Sequence, residues 1–169
     1  SYLVEDVEFK SYICSYNLSP SSSLDQTETK SAIQELQLFM DKYPSSFLRD
    51  SASTMLDNLR DKLEIKSFEN AALFHKIGQY KSATIALKNA LKDFPDSQFR
   101  EEMHFLILDS YYQYALQSTD RRKIERFNDA TTAFHTFASR FPNSSYLSDA
   151  EYIYEPVSYT HLRAHETRE

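Results

Sequence analysis

One short pattern occurs three times in this chain of 169 residues and strongly constrains its fold. Each copy has an alanine twelve residues before the proline of an aromatic-proline pair, a large apolar residue four after the alanine, and a serine two after the proline. The copies are Ala32, Leu36, Tyr43-Pro44 and Ser46; Ala83, Leu87, Phe94-Pro95 and Ser97; and Ala130, Phe134, Phe141-Pro142 and Ser144. Such self-similarity is typical of stacked helical repeats, which usually present a binding surface rather than a catalytic pocket.

The spacing of apolar residues and breakers predicts helices throughout and no strand. The expected helices cover residues 2–17, 27–43, 47–77, 80–93, 99–117, 122–140 and 146–154. The 47–77 segment contains neither proline nor glycine, so we expect one long helix there. Proline stops the helix that precedes it, and the serine after it offers an N-cap to the next.

The second copy has the spacing of the latter half of a tetratricopeptide repeat. A glycine ends one helix, an aromatic precedes a small alanine, and a proline closes the second helix, at Gly78, Tyr80, Ala83, Leu87, Ala90 and Pro95. The prolines are 51 and 47 residues apart, whereas a plain array repeats every ~34 residues. The prediction is an all-α, tetratricopeptide-like solenoid with one long helix at about 47–77.

The first helix offers a less regular pattern. Its apolar face is predicted to contain Leu3, Val7, Tyr12 or Ile13, and Tyr16. Cys14 lies between aromatic residues and is predicted to be a buried, inert thiol.

Composition argues against several functional classes. The net charge of −6 is a poor match to nucleic-acid binding, and the single cysteine excludes an internal disulfide framework. His75, His104 and His135 are scattered, and no nucleophile with a nearby base is apparent, so we expect no enzyme activity, no metal and no cofactor. No run of ~18 apolar residues is present.

The chain is predicted to be a single helical-repeat domain over residues 1–155, truncated at both ends. Residues 156–169 resemble the translation of a sequencing adapter and are predicted to be a non-native, disordered tail. His161 and His165 are four residues apart, as two metal ligands on one helix would be, but a metal site is not predicted in this tail.

Several segments resemble the outer-membrane assembly lipoprotein family BamD, and their sequences are most similar to family members from Bacteroidota. They are Leu18-Ser-Pro20, Ser23-Leu-Asp-Gln26, Tyr43-Pro-Ser-Ser46, Lys66-Ser-Phe-Glu-Asn-Ala71, Leu91-Lys-Asp-Phe-Pro-Asp-Ser97 and Arg140-Phe-Pro-Asn-Ser-Ser-Tyr146. The resemblance implies a lipid-anchored, non-enzymatic scaffold on the periplasmic face of the bacterial outer membrane. Its implied partners are other subunits of the β-barrel assembly machinery, including the periplasmic domains of the core barrel subunit, and unfolded barrel proteins. The alternative is a periplasmic scaffold that coordinates cell-envelope processes, a family with a shorter and more regular period.

Two sets of residues are predicted to bind partners. The repeat register places one set in a concave groove, which we call the predicted groove: Phe68, Ala72, His75, Lys76, Leu106, Ser110 and Gln113. For Phe68, packing on a neighbouring helix is an equal alternative. The second set, which we call the basic segment, would contact an acidic partner surface and comprises Arg121, Arg122, Lys123 and Arg126; its alternative is a solvated helix start.

Overall fold

The structure, a computed structural model, describes residues 2–155. Their helices are α1 (Tyr2–Leu18), α2 (Thr27–Lys42), α3 (Arg49–Lys76), α4 (Tyr80–Asp93), α5 (Arg100–Leu116), α6 (Asp120–Arg140) and α7 (147–155). No strand occurs in this range, and α3 is one continuous helix of 28 residues. The all-α prediction and the long helix are therefore confirmed. The predicted tail, with His161 and His165, lies outside the described residues.

The chain divides into two compact units, one up to Lys66 and one from Ser67 onward. The core of the first unit includes Phe9, Leu36, Phe39 and Leu59. In the second unit, one cluster includes Ala71, Leu87, Met103 and Ile107, and another contains Leu108, Phe137 and Ala150. A single domain over residues 1–155 stays a prediction.

The repeated pattern produces the same helix ending three times. Tyr43, Phe94 and Phe141 have φ of −126°, −128° and −130°, and each backbone N–H donates to the carbonyl four residues earlier at 2.9 Å. The next residue is proline, which has no N–H and cannot continue the ladder. The repeated alanines are almost fully buried, because a small side chain lets two helices approach closely. The pattern therefore fixes both the helix end and the packing that precedes it.

The repeated serine connects each ending to the next helix. Ser46, Ser97 and Ser144 accept, through Oγ, the backbone N–H two residues later at 3.0 Å in each case. Their own N–H groups donate to the carbonyl of the preceding aromatic residue at 3.1–3.2 Å. Ser46 Oγ also donates to Glu5, and Ser144 Oγ donates to Glu101. The serine thus satisfies a backbone donor in the turn just before the following helix. It is not the N-cap that the sequence predicts, because the N-cap of α5, for example, is Phe99.

The single glycine ends α3. Gly78 has φ +78°, and the N–H of Gln79 donates to the Phe74 carbonyl at 2.8 Å. This is the Schellman arrangement, in which a left-handed residue closes a helix and for which glycine has no steric penalty. It turns the chain within two residues into α4, as the sequence predicts.

The prediction for α1 is confirmed for Tyr12 or Ile13 and for Tyr16, which pack on the core, and is wrong for Leu3 and Val7. Leu3 and Val7 are 77% and 65% exposed, whereas Phe9 is buried beside Tyr12, Ile13 and Tyr16. At 100° per residue, Leu3 and Val7 lie roughly opposite the face formed by Phe9 and its companions. Cys14 is also exposed, not buried, because it falls outside that packed face.

Candidate protein-binding site

His75 lies in a polar cluster that joins the last turn of α3 to the middle of α5. Its Nδ1 is 2.9 Å from Ser110 Oγ, and its Nε2 is 3.1 Å from Asp109 Oδ2. Gln113 Nε2 donates to Asp109 Oδ1 at 3.1 Å. A neutral imidazole with its proton on Nε2 donates to Asp109 and accepts the Ser110 hydroxyl proton. The cluster, defined by His75, Asp109, Ser110 and Gln113, thus unites three residues of the predicted groove.

The serine, histidine and aspartate of this cluster do not form an accessible catalytic triad. A nucleophilic serine must reach its substrate and have its proton removed by the histidine. Ser110 is 0% exposed, so no substrate can reach its Oγ while α3 and α5 remain packed. The acid, Asp109, is also the residue directly before Ser110 on the same helix. The hydrogen bonds instead fix α3 against α5, since a buried hydroxyl is costly without a partner.

The α3 residues of the predicted groove lie along one stripe. Residues 68, 72, 75 and 76 fall within about 100° of arc on an α-helix. Ala72 is half-buried and Lys76 is exposed. The ring of Phe68 stacks on Phe99, with centroids 4.4 Å apart and an interplanar angle of 3°. Phe68 therefore has a packing role, and contact with a partner stays a prediction.

On α5, Leu106 completes a second stripe with Ser110 and Gln113. Leu106 is half-buried and packs against the core cluster that contains Met103 and Ile107. The polar cluster places this stripe beside the His75 side of α3. The two stripes therefore lie side by side between α3 and α5. Ser110 is fully buried there and cannot itself contact a partner, and partner binding by the remaining residues stays a prediction.

The basic segment separates into residues with different environments. The Arg126 guanidinium lies 3.7 Å from the centroid of the Tyr114 ring and donates to Ser118 Oγ. Lys123 is half-buried, whereas Arg121 and Arg122 are exposed in the first turn of α6. In the described part of the chain, neither exposed arginine has a side-chain hydrogen bond or salt bridge. Arg126 therefore anchors α6 to α5, which leaves Arg121 and Arg122 available to a partner.

Two residues of the site were missed from the sequence. Asp109 orients both His75 and Gln113, and Tyr114 receives Arg126. The four-residue spacing of Asp109 and Gln113 on one helix was an available signal, because such pairs are neighbours on the helix surface. The Tyr114–Arg126 contact joins two helices, so no local spacing predicts it.

Residues 2–155 contain no group of three or more His, Cys, Asp or Glu side chains that could hold a metal ion. Within the same range, no helix combines the length and the apolar character needed to cross a bilayer.

Comparison with known proteins gives one family. No curated protein matches the chain. The family model described as YfiO, outer membrane lipoprotein, matches residues 3–126 and again residues 75–158. Overlapping matches to one model are expected when a sequence contains internal repeats. Together they cover most of the chain, which therefore belongs to the YfiO family of outer membrane lipoproteins.

Proposed function

We propose that this protein is a non-enzymatic scaffold subunit of the outer-membrane β-barrel assembly machinery, similar to BamD. It would bind the periplasmic domains of the core barrel subunit and unfolded barrel substrates, at the periplasmic face of the membrane, through a lipid anchor. The main support is membership of an outer membrane lipoprotein family, together with the helical-repeat fold. An origin in Bacteroidota remains a prediction.

The surface chemistry supports a binding role. The predicted groove between α3 and α5 would combine half-buried Leu106 and Ala72 with the polar side chains of Gln113 and Lys76. Apolar anchors with flanking polar groups are what a groove needs to hold an extended or helical segment. The buried Ser110 supports scaffolding over hydrolysis, because its hydroxyl is engaged with His75 and inaccessible.

The exposed arginines of the basic segment provide the sharpest test. Arg121 and Arg122 lie at the positive end of the α6 dipole, so they concentrate positive charge there. We expect this charge to steer an acidic surface of the core subunit, mainly by raising the association rate. The Arg122→Glu variant should associate about three- to tenfold more slowly at low ionic strength, and salt should reduce the difference.

The measurement is the association rate of the whole chain with periplasmic domains of the core subunit that are immobilised on a sensor surface. Lys81→Glu is the matched control, because Lys81 is also exposed in the first turn of a helix, α4. Equal rates for the two variants would contradict the role of the basic segment. Complete lack of binding by the folded wild type would contradict the assembly function and favour the cell-envelope scaffold.

A further inference from the structure

A cavity of about 240 Å³ lies among α4, α5 and α6, away from the predicted groove. Its α5 residues are His104, Ile107 and Tyr111, whereas the groove uses Leu106, Ser110 and Gln113 of the same helix. At 100° per residue, these two sets are centred about 130° apart on α5. The cavity and the groove therefore open on different sides of the helix.

The base of the cavity is apolar. Leu91, Ile107 and Ala133 line it, and all three belong to or pack against one core cluster of the second unit. The base is consequently backed by packed side chains and keeps its shape without a ligand. Such a surface favours an apolar group that can leave water.

The α6 wall presents acceptors. The Thr132 hydroxyl donates to the Asn128 carbonyl at 2.9 Å, and the Thr136 hydroxyl donates to the Thr132 carbonyl at 2.8 Å. Because those protons are engaged, both oxygens offer lone pairs to the cavity. Asp129 is exposed on the same wall and forms no salt bridge within residues 2–155.

The other charged or titratable groups of the cavity are already occupied or neutral. Lys88 Nζ donates to the Tyr111 hydroxyl at 2.6 Å and lies 5.0 Å from that ring's centroid. Burial, with Arg140 and Arg100 nearby, lowers the pKa of His104 to about 4, so His104 is neutral at physiological pH. Lys88 keeps its positive charge but is held at Tyr111, so Asp129 is the one lining charge with neither a hydrogen bond nor a ring contact in the described structure.

We propose that this cavity is a second protein-binding site, which accepts one large apolar side chain of a partner while an adjacent lysine or arginine of that partner pairs with Asp129. Typical small-molecule sites have volumes of ~300–1,000 Å³, whereas this cavity is smaller and suits a single side chain. Anchoring of one buried side chain, with polar contacts around it, is how protein interfaces concentrate affinity. The Asp129 carboxylate favours a partner that has a cationic residue next to the apolar one.

Three blocked peptides test the two requirements separately: acetyl-Gly-Phe-Lys-Gly-amide, acetyl-Gly-Phe-Glu-Gly-amide and acetyl-Gly-Ala-Lys-Gly-amide. Each is titrated into the 15N-labelled chain, and amide shifts are followed by NMR. The Phe-Lys peptide should shift the amides of residues 129–136 and of Tyr111. It should bind about two- to fivefold more tightly than the Phe-Glu peptide, the range for an exposed ion pair, and the Ala-Lys peptide should not bind measurably.

Variants separate the charge from the cavity. Asp129→Asn should remove the preference for lysine, whereas Asp149→Asn, an exposed acid on α7, should leave it intact. Ala133→Leu should weaken both phenylalanine peptides at least threefold by filling the base. If that half-buried substitution unfolds the protein, Thr132→Arg tests the same site from an exposed position and should abolish Phe-Lys binding. No shifts at residues 129–136, or equal binding of the two phenylalanine peptides to wild type, would overturn the proposal.

Discussion

At the scale of single residues, His104 has the most perturbed titration in the described structure. Its ring is half-buried on α5 and contacts Phe141, with centroids 5.5 Å apart. Burial disfavours the imidazolium, and the charges of Arg140 and Arg100 add to that effect, so the pKa falls to about 4. Folding therefore favours the neutral form of the His104 side chain.

This perturbation predicts a loss of stability in mildly acidic solution. An unfolded histidine has a pKa near 6.5, so below that pH the unfolded state takes up a proton that the folded state refuses until about pH 4. At pH 5 the full shift corresponds to roughly 2 kcal/mol, and partial exposure of the ring reduces this to about 1 kcal/mol. The His104→Gln variant should lose this component when urea unfolding is measured at pH 7.5 and pH 5.

The matched control is His135→Gln, because His135 is exposed on α6. Carboxylates with lowered pKa, such as Glu8 through its bond with Lys42 and Asp25 through its bond with Thr27, lose their contribution only as the pH falls below about 4.5. These carboxylates therefore do not contribute between pH 6.5 and pH 5. A wild-type free energy of unfolding that is flat across this window would contradict the prediction.

At the scale of elements, the repeated turn makes its own prediction. Ser46 Oγ accepts the N–H of Leu48, the residue just before α3, and donates to Glu5 of α1. Loss of a serine that caps a backbone donor beside a helix start costs about 0.5–2 kcal/mol. Ser46→Ala should therefore lower the free energy of unfolding by about 1 kcal/mol in chemical denaturation.

The neighbouring serine supplies the control for this experiment. Ser45 is exposed and forms no side-chain hydrogen bond within residues 2–155, so Ser45→Ala should change stability by less than about 0.5 kcal/mol. Equal effects at the two positions would mean that the repeated serine does not stabilise the turn before α3.

The elements also show which parts of the fold were predictable. The aromatic-proline-x-serine turns could be predicted because each is decided by local backbone chemistry: a missing N–H, a capping hydroxyl and a left-handed glycine at Gly78. The exposure of Leu3 and Val7 could not be predicted, because Leu3, Val7 and Phe9 are all apolar and helical periodicity allows more than one face. Packing against α2 through Phe9 decided the phase, and it left Cys14 in solvent.

At the scale of the whole molecule, α5 links two candidate binding surfaces within the second unit. The repeat register predicted the side that faces His75, because tetratricopeptide-like arrays assign fixed positions to one face. The cavity with Asp129 was not predicted, since its lining comes from three helices and depends on which hydroxyl protons are already engaged. Local spacing contains no information on either condition.

The two surfaces should act independently, and Ala72→Arg tests the groove alone. Ala72 is half-buried on the groove stripe of α3, so an arginine there would project into the space that a partner segment needs. We expect binding of a urea-unfolded barrel protein, followed by fluorescence anisotropy after dilution, to weaken about tenfold, equivalent to about 1.4 kcal/mol. Ala138→Arg, at a half-buried position of α6, is the control for introducing the same side chain. Circular dichroism should show full helicity for both variants, and the Phe-Lys peptide should still shift residues 129–136. If Ala72→Arg retains wild-type affinity for the unfolded barrel, the surface between α3 and α5 is not the substrate site.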